Sequence, residues 1–187
     1  GLDMSAPHLY MDSNGELADF EKPYKKLPEK LAREQRKLSH KQKDSKNYEK
    51  QRQVVARLHA KIKHQRKDRL HKLSEQLTRE YDLISIEDLN MSALKQTLNL
   101  GKSYSDNGWG MFVTMLLYKG KRNGCYIIEI DKWFPSSKTC SECGYVHKEL
   151  QLSDRTYVCP VCGNLIDRDE QAAINIDLEG LRILLSA

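Results

Sequence analysis

The sequence predicts an α/β fold: a mixed sheet interrupted by a basic helical hairpin and by a cysteine-rich insert. Apolar residues follow the period of a strand at 82–87 and 125–130, whereas residues 25–81 follow the period of a helix. Strands and helices then alternate toward the C-terminus, which is typical of mixed α/β sheets. Two Cys-x-x-Cys pairs lie between the last strand and the last helix.

The N-terminal part is expected to contain two short strands and two helices. Residues 1–21 include a brief apolar run at 9–11, followed by turn-forming residues at 13–16. Residues 25–81 carry two apolar stripes, separated by a polar break near 44–47. This pattern predicts a helical hairpin whose second arm is the longer one.

The C-terminal part is expected to alternate strands and helices around the cysteine-rich insert. Its predicted elements are, in order, a strand at 82–87, a loop at 94–107, a helix from about 107 to 120, a strand at 125–130, the insert at 136–166 and a last helix opened by Asp167 or Asp169. We therefore predict one α/β domain of residues 1–135 and 167–187, with 136–166 as a separate module.

Charge is unevenly distributed along the chain. Residues 22–72 hold 19 Lys/Arg and 5 Asp/Glu, whereas the remainder holds 12 and 21. This segregation predicts one face that attracts phosphate and another that gathers carboxylates, although a solvated helical hairpin explains the basic segment equally well. The charged fraction is 30%, and no apolar run approaches about 18 residues. These features predict a soluble protein with no membrane partner.

The four paired cysteines predict a structural zinc site. Cys140 and Cys143 form one Cys-x-x-Cys-Gly knuckle, and Cys159 and Cys162 form the second. Two residues between the sulfurs let both thiolates reach one ion, and the following glycine permits a tight turn. Four thiolates complete a tetrahedral shell and leave no position for a substrate, so the zinc is expected to be structural.

Other readings of the cysteines fit the pattern less well. A redox Cys-x-x-Cys normally occurs once, and disulfides are rare in a reducing, cytoplasmic setting, which the pattern favours. His147 is a possible replacement ligand that a complete set of four cysteines makes unnecessary. Cys125 lies in an apolar strand and is expected to be buried and inert.

Three carboxylates are candidates for a second, catalytic metal site. Asp3 lies in the first strand, Glu87 ends an apolar strand, and Asp169 stands at the start of the last helix. Such positions can converge at one edge of an α/β sheet. Clustered carboxylates repel one another unless cations neutralise them, and hard oxygen ligands select Mg²⁺ or Mn²⁺. Two such ions about 4 Å apart hydrolyse phosphodiesters in many nucleases.

Neighbouring acids compete for two of these roles. Strand alternation turns Asp88 to the face opposite Glu87, so Glu87, which is in phase with Ser85, is the better ligand. Spacing alone does not decide between Asp167 and Asp169, because either can cap the helix.

Six segments together resemble the C-terminal nuclease part of the TnpB (OrfB) proteins of insertion sequences, relatives of type V CRISPR effector nucleases. They are GLDMS at 1–5, IEDLN at 86–90, NGWGMF at 107–112, WFPSSKTC at 133–140, LSDR at 152–155 and DRDEQAAINI at 167–176. They span nearly the whole chain in the family's order, and the stretch from 133 to 176 is the most specific.

The resemblance implies an RNase H-like (RuvC) fold with catalytic acids Asp3, Glu87 and Asp169. It favours Asp169 over Asp167, because the family's acid immediately precedes an x-Asn-Ala-Ala pattern. In this chain Gln171 replaces that Asn, which is expected to alter a hydrogen bond near the site. The resemblance also implies a transposon-encoded, RNA-guided DNA endonuclease that associates with the nucleoid when active.

The family carries a further region ahead of the first catalytic Asp. The chain begins at Gly1 without an initiator Met, so we expect a fragment whose guide-RNA binding and target-motif recognition are weak by themselves.

Two other functions fit the same residues: a nucleic-acid-binding module without catalysis and a strand-joining transposase. The intact acids favour catalysis. The basic segment 22–72 is expected to follow a nucleic-acid backbone. Further candidate contacts are Lys138, Arg155, Trp133 and Tyr145, with structural roles equally open for the two aromatic residues.

Overall fold

The computed structural model describes residues 1–5, 8–18, 26–90, 108–151 and 153–186. Its elements are, in order, β1 (Leu2–Ser5), β2 (Leu9–Asp12), α1 (Lys26–Ser39), α2 (Lys46–Glu80), β3 (Leu83–Glu87), α3 (Trp109–Asn123), β4 (Tyr126–Ile130), one turn of 3₁₀ helix (Ser136–Lys138), β5 (Thr156–Val158), β6 (Leu165–Asp167) and α4 (Arg168–Ser186).

Four strands form one mixed sheet in the order β2-β1-β3-β4. β1 pairs antiparallel with β2, whereas the β1–β3 and β3–β4 pairs are parallel. The turn between β2 and Leu17 contains Gly15 at φ +77°, and the Asp12 carboxylate accepts hydrogen bonds from the amides of Asn14 and Glu16. The predicted mixed α/β sheet is confirmed.

The central strand β3 is covered on both faces, since Ile84, Ser85 and Ile86 are all buried. Helix α4 lies directly on the Ser85 face: a Cβ added to Gly180 would come within 1.9 Å of the Ser85 hydroxyl. Glycine therefore lets the helix approach the strand at that point. Because side chains alternate along a strand, the odd-numbered residues of β3 face α4 and the even-numbered ones face away.

Helix α3 begins close to its predicted start. Its buried side includes the four residues that the sequence predicted, Trp109, Phe112, Met115 and Leu116, together with Lys119 and Gly120. Phe112 stacks on Tyr10 of β2 with ring centroids 5.8 Å apart.

The predicted end near Gly120 is wrong by three residues, because the helix continues to Asn123 and stops before Gly124 at φ +80°. Gly120 instead provides space for β4, since a Cβ there would lie 2.6 Å from Ile127.

The chain divides into two compact units, residues 20–72 in one and residues 1–19 with 73–187 in the other. The smaller unit contains α1 and most of α2. Within it Gln51 of α2 donates hydrogen bonds to the carbonyl and the carboxylate of Glu34 in α1. The predicted loop at 94–107 lies outside the described residues. No helix among the described residues has the length and apolar character needed to cross a membrane.

Candidate functional site

Asp3 and Glu87 lie side by side on neighbouring strands. Leu2 of β1 is the register partner of Ile86 in the parallel β1–β3 pair, so Asp3 and Glu87 follow one residue later on each strand. Glu87 has the same phase as Ser85 and therefore lies on the face covered by α4. Gly1, in phase with Asp3, also approaches α4, since a Cβ there would lie 2.0 Å from the Ala173 carbonyl. Both acids thus lie on the α4 side of the sheet.

The two acids have raised pKa values. Burial is the main cause of the elevated pKa of Asp3, and the negative charges of Glu87 and Asp169 raise it further. Burial also raises the pKa of Glu87, which a hydrogen bond from Ser136 partly offsets. Buried carboxylates beside one another hold their charge poorly unless a cation is near.

The backbone after β4 and the 3₁₀ turn secure Glu87 from two sides. Ile130, the last residue of β4, is its register partner. Ser136 donates a hydrogen bond from its hydroxyl to the Glu87 carboxylate at 2.6 Å. Asp88, the competing acid, is exposed, and its amide donates to the Ile130 carbonyl at 3.0 Å.

The start of α4 distinguishes Asp167 from Asp169. The Asp167 carboxylate accepts hydrogen bonds from the amides of Asp169 and Glu170, at 2.8 and 3.2 Å, and so caps the helix. Asp169 in the first turn has a half-buried side chain, 31% exposed, flanked by the guanidinium groups of Arg155 at 3.7 Å and Arg168 at 3.5 Å. The structure therefore gives the capping role to Asp167, whereas the Asp169 carboxylate pairs with two guanidinium groups.

Two buried amides join α4 to the cysteine-rich segment. Gln171 is fully buried, donates to the Thr139 carbonyl and accepts from the Ser141 hydroxyl at 3.2 Å. Asn175 donates to the carbonyls of Ser136 and Thr139, at 2.7 and 2.6 Å. These bonds fix the 3₁₀ turn that carries Ser136. Gln171, the departure from the family pattern, thus supports the site indirectly.

The three acids are close without forming a tight cluster. The charges of both Glu87 and Asp169 raise the pKa of Asp3. Among the described residues, only the four paired cysteines have ligand atoms that all lie within 4.8 Å of one another. The three carboxylates do not form a group of that kind.

The four cysteines form the group that the sequence predicted. Cys140, Cys143, Cys159 and Cys162 converge, with Sγ–Sγ separations of 3.6 Å for Cys140–Cys162 and for Cys143–Cys159. Gly144 and Gly163 follow the two knuckles at φ +73° and +76°, a conformation that favours glycine. This cluster can bind a metal ion.

The environment of the cysteines favours a thiolate at Cys159, whereas burial and hydrogen bonds among the thiols raise the pKa values of Cys143 and Cys162. Burial opposes ionisation of Cys159, but hydrogen bonds from the backbone amides of Cys162 and Val161 and from the neighbouring thiols lower its pKa to about 6. Thiolates are the form that coordinates metal. His147 is not part of the cluster and instead packs edge-on against Tyr157, whose ring is fully buried between the knuckles and β6. Cys125 is buried apart from the other four, as predicted.

The four residues that were predicted to contact nucleic acid differ in exposure and in their hydrogen-bond or ion-pair partners. Trp133 is 82% exposed and Tyr145 42%. Lys138 donates from its ammonium group to the Lys148 carbonyl at 3.1 Å. Arg155 lies beside Asp169.

Ser136 and Asn175 were not predicted as site residues. The only sequence signal for them is their position inside the matched segments 133–140 and 167–176.

The fold and these two sites define an α/β protein that combines a carboxylate site with a four-thiolate metal-binding module. A family model described as "Probable transposase" (OrfB_IS605) matches residues 1–98, and one described as "Cas12f1-like, TNB domain" matches residues 109–176. The chain therefore belongs to the TnpB/OrfB family of transposon-associated proteins.

Two curated relatives named "Putative RNA-guided DNA endonuclease" align with almost the whole chain. The one from Streptomyces pristinaespiralis is 41% identical over 97% of this chain and 45% of its own length. InsQ from Escherichia coli (strain K12) is 32% identical over 98% of this chain and 49% of its own length. The chain thus spans about half the length of these relatives.

Solved structures share the fold at low sequence identity. A chain in "Cryo-EM structure of the Cas12f1-sgRNA-target DNA complex" superimposes with a TM-score of 0.64 at 17% identity, over 94% of this chain and 48% of that one. A second, in "Cryo-EM structure of CRISPR-Cas12f Ternary Complex", gives 0.60 at 16% identity, over 86% of this chain and 34% of that one.

Proposed function

We propose that this chain is an RNase H-like (RuvC) nuclease domain that hydrolyses phosphodiester bonds in DNA with two divalent ions. The observation that carries the proposal is the juxtaposition of Asp3 and Glu87 on the α4 side of the sheet, next to the first turn of α4 with Asp169. The names of the relatives, RNA-guided DNA endonucleases, support the same function.

The donor set fits Mg²⁺ or Mn²⁺. All three side chains offer carboxylate oxygens, the ligands that hard cations prefer. Burial raises the pKa of Asp3, and the charges of Glu87 and Asp169 raise it further, as expected of acids gathered without a neutralising cation. Divalent ions in such a site lower the pKa of a bound water and stabilise the leaving oxygen.

The chain's own residues position the carboxylates and the substrate. Ser136 orients Glu87 through its hydrogen bond, and Asp167 caps α4 so that Asp169 stays in the first turn. In this proposal residues 1–135 and 167–187 form the nuclease domain, with the helical hairpin at about 25–81. The basic residues of 22–72 would then contact phosphates in a salt-sensitive way that is independent of sequence.

In the same proposal the four cysteines hold a structural zinc ion within residues 136–166. A closed set of four thiolates leaves no coordination position for chemistry. Sequence specificity would come from a guide RNA paired with the target, as in other RNA-guided nucleases.

The decisive experiment compares acid variants with a neighbouring control. Supercoiled plasmid is incubated with the protein and Mn²⁺, and nicked and linear products are quantified for wild type, Asp3→Asn, Glu87→Gln and Asp169→Asn. Each of the three substitutions should reduce cutting to background. Asp88→Asn, which removes an adjacent exposed carboxylate, should cut like wild type. Undiminished cutting by any of the three variants contradicts the role of that residue.

A second candidate function is DNA strand joining, favoured by the family description "Probable transposase". The same acids and ions support transfer to a DNA hydroxyl instead of to water. Covalently joined products in the plasmid assay, instead of free ends, would identify it.

A further inference from the structure

Trp133 is more exposed than any other large apolar side chain of the described residues, at 82%. The second tryptophan, Trp109, is 2% exposed in the core. Leaving an indole in water forfeits much of the free energy that its burial would supply, so an exposed tryptophan at a functional site is a candidate for ligand contact.

The loop that carries Trp133 is attached to Glu87 at both ends. Ile130, three residues earlier, is the register partner of Glu87, and Ser136, three residues later, hydrogen-bonds the Glu87 carboxylate. Three residues span at most about 10 Å. The Trp133 backbone therefore lies within about 10 Å of residues in direct contact with the candidate site, roughly the length of three stacked nucleotides.

The loop backbone is itself well fixed. Asp131 accepts hydrogen bonds from the Trp133 amide through its carboxylate, at 2.8 Å, and from the Phe134 amide through its carbonyl, at 2.9 Å. Phe134 in turn accepts from the Ser136 amide at 2.8 Å. The indole thus projects into solvent from a backbone that hydrogen bonds fix. Ligand binding therefore costs less conformational entropy than it would on a loop without such bonds.

A cation accompanies the ring. The Lys132 ammonium group lies 5.5 Å from the Trp133 ring centroid, within the range of a cation–π contact. An aromatic face next to a lysine is the combination that binds unpaired nucleic acid: the ring stacks on a base of any identity and the ammonium group neutralises a phosphate.

We infer that Trp133 and Lys132 form a stacking platform for an unpaired base of the DNA strand next to the scissile phosphate. The inference deepens the proposed nuclease function and rests on it for the identity of the strand. A base in an intact duplex has both faces covered by its neighbours, so the platform selects single-stranded DNA. It would hold a displaced strand in register with Glu87 without reading its sequence.

The test measures binding of a 12-nucleotide oligo(dT) to the 187-residue protein, without added divalent ions, so that cutting does not interfere. An oligomer of the same length with abasic sites at every position keeps the phosphates and removes the bases. Trp133→Ala and Trp133→Phe are compared with Tyr126→Ala, which removes another exposed aromatic side chain at the opposite end of β4, 60% exposed.

We expect Trp133→Ala to weaken oligo(dT) binding by about 5- to 150-fold, the range for losing one base–aromatic stack. Trp133→Phe should keep part of the affinity, and Tyr126→Ala should keep all of it. Binding of the abasic oligomer should not change in any variant. Oligo(dT) should quench wild-type tryptophan fluorescence, and Trp133→Phe should abolish the quenching, while the buried Trp109 reports that the fold is intact.

Three results would overturn the inference. One is equal oligo(dT) affinity in wild type and Trp133→Ala. Another is an equal loss for both oligomers, which would indicate a charge or folding effect. The third is a wild-type dimer that Trp133→Ala dissociates with DNA binding unchanged, which would assign the ring to a second copy of the chain. If Asp3→Asn still abolishes plasmid cutting in these cases, the proposed nuclease function stands without the platform.

Discussion

Asp3→Asn should make the protein more stable while it removes catalysis. Asp3 is half-buried beside Glu87 and near Asp169, and both charges oppose its ionisation. Neighbouring strands are about 4.8 Å apart. Two full charges about 5 Å apart repel by about 3 kcal/mol at an effective dielectric constant of about 20. Protonation and solvent relieve part of this repulsion, so we expect Asp3→Asn to raise the free energy of unfolding at pH 7 by about 1–3 kcal/mol.

The raised pKa of Asp3 also determines how the stability of the wild-type protein changes with pH. An acid whose pKa is raised by folding does not lower the free energy of unfolding at a pH below its unfolded pKa, near 3.8 for Asp, because it is protonated in both states. As pH rises toward the folded pKa, the unfolded state loses the proton first and stability falls. The wild-type protein should therefore lose stability as the pH rises above about 4, and the loss should end once the pH has passed the folded pKa of Asp3. Asp3→Asn should show a smaller loss.

The assay is thermal unfolding followed by circular dichroism from pH 4 to 8, with and without Mg²⁺. A gain of about 1–3 kcal/mol raises the Tm by about 2–12 °C for a chain of 187 residues. Glu129→Gln, an exposed carboxylate on β4, is the matched control and should change nothing. Mg²⁺ should stabilise the wild type and not Asp3→Asn. A variant less stable than wild type at pH 7 would refute the reasoning, because Asp3 would then be a stabilising charge.

Three further predictions concern the groups around the acids and the cysteines. Ser136→Ala removes the hydrogen bond that lowers the pKa of Glu87, so the pKa of Glu87 should rise further and the acid limb of the pH–cutting profile should move to higher pH. The neighbouring Ser137→Ala should leave the acid limb in place. Superimposable profiles for Ser136→Ala and wild type would contradict the role of Ser136. Asn175→Leu leaves the carbonyls of Ser136 and Thr139 without their donor and should cost about 1–3 kcal/mol in chemical denaturation; an unchanged denaturation midpoint would show that these bonds contribute nothing. Metal analysis of the purified wild-type protein should find zinc, and Cys159→Ser should lose it, with faster amide exchange across 136–166. Cys125→Ser should retain the metal. Zinc-free wild-type protein would overturn the zinc assignment.

Period and alternation predicted most of the elements around the site. The strand pattern of 83–87 placed Glu87 and Asp88 on opposite faces, and the structure agrees, with Glu87 half-buried and Asp88 exposed. The buried side of α3 was also predicted, because helical periodicity marks it directly. The end of α3 was not, because a glycine that ends a helix and one that permits close packing look alike in sequence.

The site needed information that a single sequence does not hold. Spacing could not separate Asp167 from Asp169, since the choice depends on which carboxylate turns back to cap α4. Ser136 reaches Glu87 across 49 residues of sequence, and only the β3–β4 register brings them together. The four cysteines could be predicted from the sequence because the two ligands of each knuckle are close together in the chain.

The central claim is that acids distant in sequence meet to hold divalent ions. Crystals of the protein grown with Mn²⁺ and measured at the manganese absorption edge test it most directly. We predict anomalous density between the carboxylates of Asp3 and Glu87, within about 2.5 Å of their oxygens and next to Asp169, and no such density in crystals of Asp3→Asn. Ordered carboxylates with no anomalous peak between them, at millimolar Mn²⁺ and neutral pH, would contradict the account.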